Sequence, residues 1–193
     1  MSKLKYLALV TALAVTGPAS AGLTGQQVTG SLEFSSVPGT NFFDPANGYV
    51  PLGYLNETGT TVTIGEPAIE FGYDDTFDNL VTANFTDSEL IIRDLVRTTT
   101  VAWQMTFTSV TPGLFTSIDL LSGGFTPDLT YSRTGNIITI GFSGTTSAGN
   151  NITTFRIGSQ SQPVPEPTIL ALMSLGLAGI GLGRYRRVST TSA

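Results

Sequence analysis

Thr100-Val101-Ala102-Trp103-Gln104-Met105-Thr106-Phe107-Thr108 is the stretch whose reading decides the fold class. Val101, Trp103, Met105 and Phe107 alternate with Thr100, Ala102, Gln104, Thr106 and Thr108. A period of two sends the large apolar set to one pleat face and the small or polar set to the other. That is the pattern of a strand covering a core on one side, and the stretch reads as a central strand.

The same alternation recurs on either side. Ile69, Phe71 and Tyr73 alternate with Ala68, Glu70 and Gly72. Val81, Ala83 and Phe85 alternate with Thr82 and Asn84, and Ile138, Ile140 and Phe142 with Thr139 and Gly141. Phe155 and Ile157 flank Arg156, while Val28, Leu32 and Phe34 share a face. Shorter candidates are Thr61–Ile64, Glu89–Arg93, Ser117–Leu121 and Leu129–Arg133. Gly135-Asn136 reads as a tight hairpin turn, because glycine supplies the positive φ such a turn needs. Pro112-Gly113, Gly123-Gly124 and Ala148-Gly149-Asn150 read as further breaks. No body segment has a helical apolar stripe. About ten short strands predict an all-β fold, a single antiparallel β-sandwich of the jelly-roll or Greek-key sort. Ser35–Gly59 stands apart as a long irregular segment with several turn formers, carrying Phe42, Phe43, Tyr49 and Tyr54. A loop of that length inside a domain often serves a function.

Both ends differ from this body. At the front, Lys3 and Lys5 precede an apolar run, Tyr6–Val15, and Pro18 precedes Ala19-Ser20-Ala21. This is the pattern of a secretory signal peptide over residues 1–21, cleaved after Ala21, with small residues Ala19 and Ala21 at the cleavage site. At the back, Pro165-Glu166-Pro167 is followed by sixteen uncharged positions, Thr168–Gly183, and then by Arg184-Tyr185-Arg186-Arg187. As a helix those positions span roughly 24 Å. Arginine snorkelling through residue 185 extends the reach toward a hydrocarbon core of about 30 Å. The segment 168–185 is therefore expected to be a transmembrane helix. Arg184, Arg186 and Arg187 form a basic stop that stays cytoplasmic and leaves the body on the other side. A polar linker at 158–163 separates the body, 22–157, from the tail, 164–187, and residues 188–193 trail it.

Pro-Glu-Pro, a short Gly/Leu/Ala-rich segment and a terminal arginine cluster, in that order, resemble the PEP-CTERM sorting signal of Gram-negative bacteria. The resemblance covers Val164–Arg187 and no more. It implies that Pro165, Glu166 and Pro167 are read by exosortase, a membrane transpeptidase-like sorting enzyme, with this chain as substrate. It also implies an association with exopolysaccharide and biofilm. Other implied partners are the export translocon, signal peptidase and membrane lipid around the tail. The expected location is the inner membrane with the body periplasmic, or release to the cell surface or matrix.

Composition narrows the chemistry of the body. It holds thirteen acids against four arginines (Arg93, Arg97, Arg133 and Arg156), a formal charge of −9, with no lysine. Such a surface disfavours nucleic acid. The chain has no cysteine, so no disulfide braces the exported fold. It has no histidine, which removes the Ser-His and Cys-His pairs and the commonest transition-metal ligand. No enzymatic activity and no cofactor are expected.

Three constellations remain. Asp74, Asp75 and Asp78, with Asp87 or Glu89 near, could present oxygen ligands to Ca²⁺, although the spacing is not that of an EF-hand. The alternative is a solvated acidic turn whose Asp and Asn side chains cap the backbone. Phe42, Phe43, Tyr49 and Tyr54 could stack on sugar rings, or else pack down as a small core under the loop. Glu33, Glu66, Glu70 and Asp119 are the candidates for a two-carboxylate glycosidase, which needs its pair about 5–9.5 Å apart. The three sequons at Asn56, Asn84 and Asn151 match N-glycosylation acceptors. The leading expectation is a non-catalytic envelope or matrix protein. A glycan-binding or calcium-dependent adhesive module is the alternative.

Overall fold

The computed structural model describes residues 22–65, 67–75, 79–124 and 128–160. The signal peptide with Ala19 and Ala21, Glu66, Asp78, the sorting tail and its expected membrane helix all lie outside the described residues. Among the described residues no helix is long and apolar enough to cross a membrane.

The described body, residues 22–160, is one compact unit. Its strands are β1 Gln27–Phe34, β2 Thr61–Thr63, β3 Phe71–Asp74, β4 Leu80–Phe85, β5 Glu89–Thr100, β6 Trp103–Ser109, β7 Phe115–Gly123, β8 Leu129–Thr134, β9 Ile137–Phe142 and β10 Thr146–Ser159. They form two five-stranded sheets, β2-β1-β6-β9-β8 and β3-β4-β5-β10-β7. Neighbouring strands are antiparallel in both sheets. The all-β, two-sheet expectation is met, and β6 is the middle strand of its sheet. β5 with β10 and β6 with β9 are nested pairs.

One core fills the space between the sheets. Leu32, Met105, Phe107, Ile138 and Ile140 from the first sheet pack with Phe71, Val81, Phe85, Ile92 and Phe155 from the second. Phe107 is the hinge of this packing, its ring centroid 5.5 Å from Phe71 and 5.2 Å from Phe85. Each fully buried aromatic or aliphatic side chain contributes about 1.5–3 kcal/mol. Gly30 on β1 makes room for the contact between sheets: a Cβ there would lie 2.5 Å from the Phe71 ring.

The strand pattern departs from expectation where the chain changes partner. Thr100 ends β5, and Val101-Ala102 is the crossover to β6. Val101 is 41% exposed and does not share the core face with Trp103. Extended backbone continues through a crossover, so alternation in sequence does not register the change of sheet. Ala148-Gly149-Asn150, expected as a break, lies inside β10, where the register against β5 shifts between Ser147 and Gly149. β5 advances three residues there against two on β10, and the mismatch is absorbed as a bulge on β5 rather than a turn in β10. β10 also runs through Ser159, two residues into the expected linker. Gly135 does turn the β8–β9 hairpin, with φ of 59°.

Candidate functional site

The long segment after β1 is fixed to the sandwich by two asparagines. The Asn41 side chain accepts from Leu32 N and Phe43 N, each at 3.0 Å, and donates to Gly30 O at 3.1 Å. The loop thereby occupies the edge of β1 that β2 leaves open, since β2 pairs only with Gln27–Thr29. Asn56, on the Leu55–Thr58 3₁₀ turn, is fully buried. It accepts from Gly72 N at 2.9 Å and donates to Phe43 O at 2.9 Å and Gly72 O at 3.1 Å. Loop and β3 are stapled together by one amide that satisfies three buried backbone groups.

The acidic turn between β3 and β4 closes on itself. Asp75 accepts from Asn79 N at 2.9 Å and Asn79 Nδ2 at 2.7 Å, and Asp75 N donates to Asn79 O at 3.1 Å. This is the backbone-capping role that short polar side chains take in turns. Asp74 N donates to Tyr49 O at 2.9 Å, joining the turn to the long loop.

Between loop and turn lies a cleft of about 500 Å³. Its apolar surface is Phe34, Phe42 and Tyr73, with ring centroids 5.2–5.6 Å apart. Val37, Tyr49 and Val101 stand on it exposed, Tyr49 most of all at 62%. Its polar groups include Asp74, Asp75, Asn47 and Ser36. Burial, and then the Asp75 and Asp74 carboxylates, hold the Tyr73 phenol above its ordinary pKa. Gly48 lets the walls meet, since a Cβ there would lie 2.5 Å from Phe42 O.

The structure divides the sequence candidates. Phe42 and Tyr49 line the cleft with Asp74 and Asp75. Phe43 does not: it is fully buried against Phe71 and Phe107, so no sugar face reaches it. Tyr54 lies over Gly72, whose missing Cβ would be 2.4 Å from its ring, and away from the cleft. Burial raises the Tyr54 pKa, Arg93 opposes this, and Asp74 adds to it. Asp87 and Glu89 lie beyond the far end of β4, where Asp87 O accepts from Leu23 N at 2.9 Å and Glu89 pairs with Arg156 across the strands. Neither approaches Asp74. Among the described residues no three acidic side chains are grouped to hold a metal.

The hydrolase candidates are scattered. Glu70 is fully buried and accepts from Gly65 N at 3.1 Å and Phe85 N at 2.7 Å. The Asn84 amide, turned with its nitrogen toward the carboxylate, donates to Glu70 Oε2 at 3.0 Å. Glu33 accepts from Gly39 N on the β1 side, and Asp119 lies opposite Arg156 in the other sheet. Of the sequon asparagines, Asn56 is buried, and Asn84 and Asn151 are half-buried.

Asp94 was not foreseen as an interior charge. It continues the inward face of Leu90 and Ile92 on β5 and is fully buried. Trp103 Nε1 donates to its Oδ2 at 3.3 Å, while Oδ1 has no hydrogen-bond partner among the described residues. Burial above all, opposed by the Trp103 bond and reinforced by Asp75, pushes its pKa up to about 6. Trp103 also lines a smaller cleft of about 290 Å³ with Glu33, Pro38, Gln104 and Phe142.

Residues 163–187 match the model of the PEP-CTERM protein-sorting motif. The chain is thus an all-β body joined to a sorting tail, and the motif implies an exported, membrane-associated protein handled by an exosortase-type enzyme. No curated protein and no solved structure matches the chain.

Proposed function

We propose that this chain is a non-catalytic protein of the cell envelope or exopolysaccharide matrix. A signal peptide cleaved after Ala21 delivers its β-sandwich across the inner membrane. The segment 168–185 holds it there with Arg184, Arg186 and Arg187 cytoplasmic, until Pro165-Glu166-Pro167 is recognised. The observation that carries this reading is the sorting motif at 163–187. The absence of histidine and cysteine from the sequence, and the dispersal of Glu33, Glu70 and Asp119 over both sheets, support a body that binds rather than catalyses.

The test is deletion of residues 165–187, followed by fractionation and intact-mass measurement. The full chain is expected to start at Gly22 and to reach the envelope or matrix. The truncated chain is expected to start at Gly22 and to go elsewhere. Arrival of both in the same compartment, with the same processing, would refute the sorting role.

A further inference from the structure

Trp103, the one tryptophan of the chain, stands between a surface cleft and a buried acid. We propose that Trp103 and Asp94 form a proton-operated clasp between the two sheets, shut while Asp94 carries a proton and released when it ionises. Asp94 belongs to β5 and Trp103 to β6, so the bond from Trp103 Nε1 to Asp94 Oδ2 ties one sheet to the other. The same indole lines the cleft of about 290 Å³, whose walls include the exposed Ser35 and Ser143. Trp103 is thus the partition between solvent and Asp94.

The surroundings of Asp94 suit a neutral acid and not an anion. β4 sets Val81 opposite it, and β10 sets Asn151, whose buried Nδ2 has no hydrogen-bond partner among the described residues. An amide supplies a dipole and no charge. Arg93, the preceding residue of β5, faces the other way, and its Nε donates to Asn150 Oδ1. Tyr73, opposite Val81 on β3, is a phenol held above its ordinary pKa and therefore neutral. The carboxylates of Asp75, in the β3–β4 turn, and Glu33, across the Trp103 cleft, carry the same sign as Asp94. Among the described side chains none brings Asp94 a counter-charge. Its Oδ1 already lacks a partner there, so the ionised form holds a single hydrogen bond, and a buried charge in that state draws water. β5 is held by β4 and β10 on both edges. Trp103 is the element free to yield, as the first residue of β6 and next but one to the exposed Val101 of the crossover.

Hydrogen exchange at the Trp103 indole N–H of the full-length chain in detergent, read from its single proton resonance, tests this. Rates are corrected for intrinsic pH dependence and compared with the backbone amides of Met105 and Phe107 on the same strand. With the carboxyl raised from 3.8 to about 6, ionisation favours the released state by about a hundredfold. Indole protection is therefore expected to fall about a hundredfold between about pH 4 and pH 7, ending well below that of Met105 and Phe107. Asp94→Asn keeps an acceptor for the indole and cannot ionise, so it should abolish the fall. Indole protection that equals the strand amides at every pH would mean that Asp94 acts on overall stability alone, and would overturn the clasp. A pH-independent indole in the wild type, or the same fall in Asp94→Asn, would overturn it as well. The outcome is independent of sorting: a correctly sorted chain that fails here loses this device and nothing else.

Discussion

The two ends of the sandwich are built to opposite plans. At one end, backbone closes on backbone. Leu23 N donates to Asp87 O, Ile157 N to Ser88 O, Ser109 N to Asn136 O and Gln160 N to Leu114 O, all at 2.8–3.0 Å. The aromatic side chains beneath, Phe85, Phe107 and Phe115, are almost wholly buried. At the other end the long loop, the acidic turn and the Val101-Ala102 crossover leave two clefts, with half-buried aromatics and carboxylates at the surface. The buried Asp94 belongs to this end too, within reach of Trp103 and of the field of Asp75. At the open end the long loop is instead held by the Asn41 and Asn56 amides.

Breaking the open end at its staple should have the largest effect. Asn56→Ala strands Gly72 N–H, Gly72 C=O and Phe43 C=O without their partner. At about 1–3 kcal/mol for each orphaned group, a loss of about 4 kcal/mol is expected, read by denaturant unfolding. Asparagine at a sequon would suggest a glycan here, but chain mass should show none, because the amide is enclosed.

Asp94 sharpens the contrast through pH. Its folded pKa lies above its ordinary value of 3.8, at about 6. The folded state therefore holds the proton more tightly than the unfolded state does. Stability from this group is fully present below about pH 4 and is lost as pH rises to about 6, a change of about 3 kcal/mol. Asp94→Asn should remove that slope and leave the protein more stable than wild type at pH 7, as followed by unfolding at a series of pH values.

Two smaller effects probe the scaffold. Gly30→Ala drives a methyl into the Phe71 ring, and about 2 kcal/mol of destabilisation is expected. Gly135→Ala strains the hairpin turn at φ of 59°, worth about 1 kcal/mol, with the open-end clefts unaffected. Both are checked by melting temperature.

What the sequence revealed follows from where period two applies. Val81–Phe85 and Ile137–Phe142 each keep one neighbour set along their length, and their faces were legible. Val101 misled because alternation survives a crossover between sheets. Asp94 hid because a carboxylate at the next inward position after Ile92 reads as the end of a buried face, whereas β5 runs on to Thr100. Phe42 and Phe43 are adjacent on irregular backbone, where no period assigns a side, so one turned to the cleft and the other to the core without notice in the sequence. The tail needed no tertiary information at all, being a linear motif. That the loop and the acidic turn share one surface is a property of topology, since β1 and β3 lie in different sheets.

Amide hydrogen exchange of the full-length chain tests the division between open and closed ends most directly. Slow exchange at Leu23, Ser109, Ile157 and Gln160, whose amides are bonded across the closed end, with faster exchange along the loop and crossover that border the clefts, is the result the account requires. Equal exchange at both ends, or faster exchange at the Leu23–Asp87 end, would contradict it.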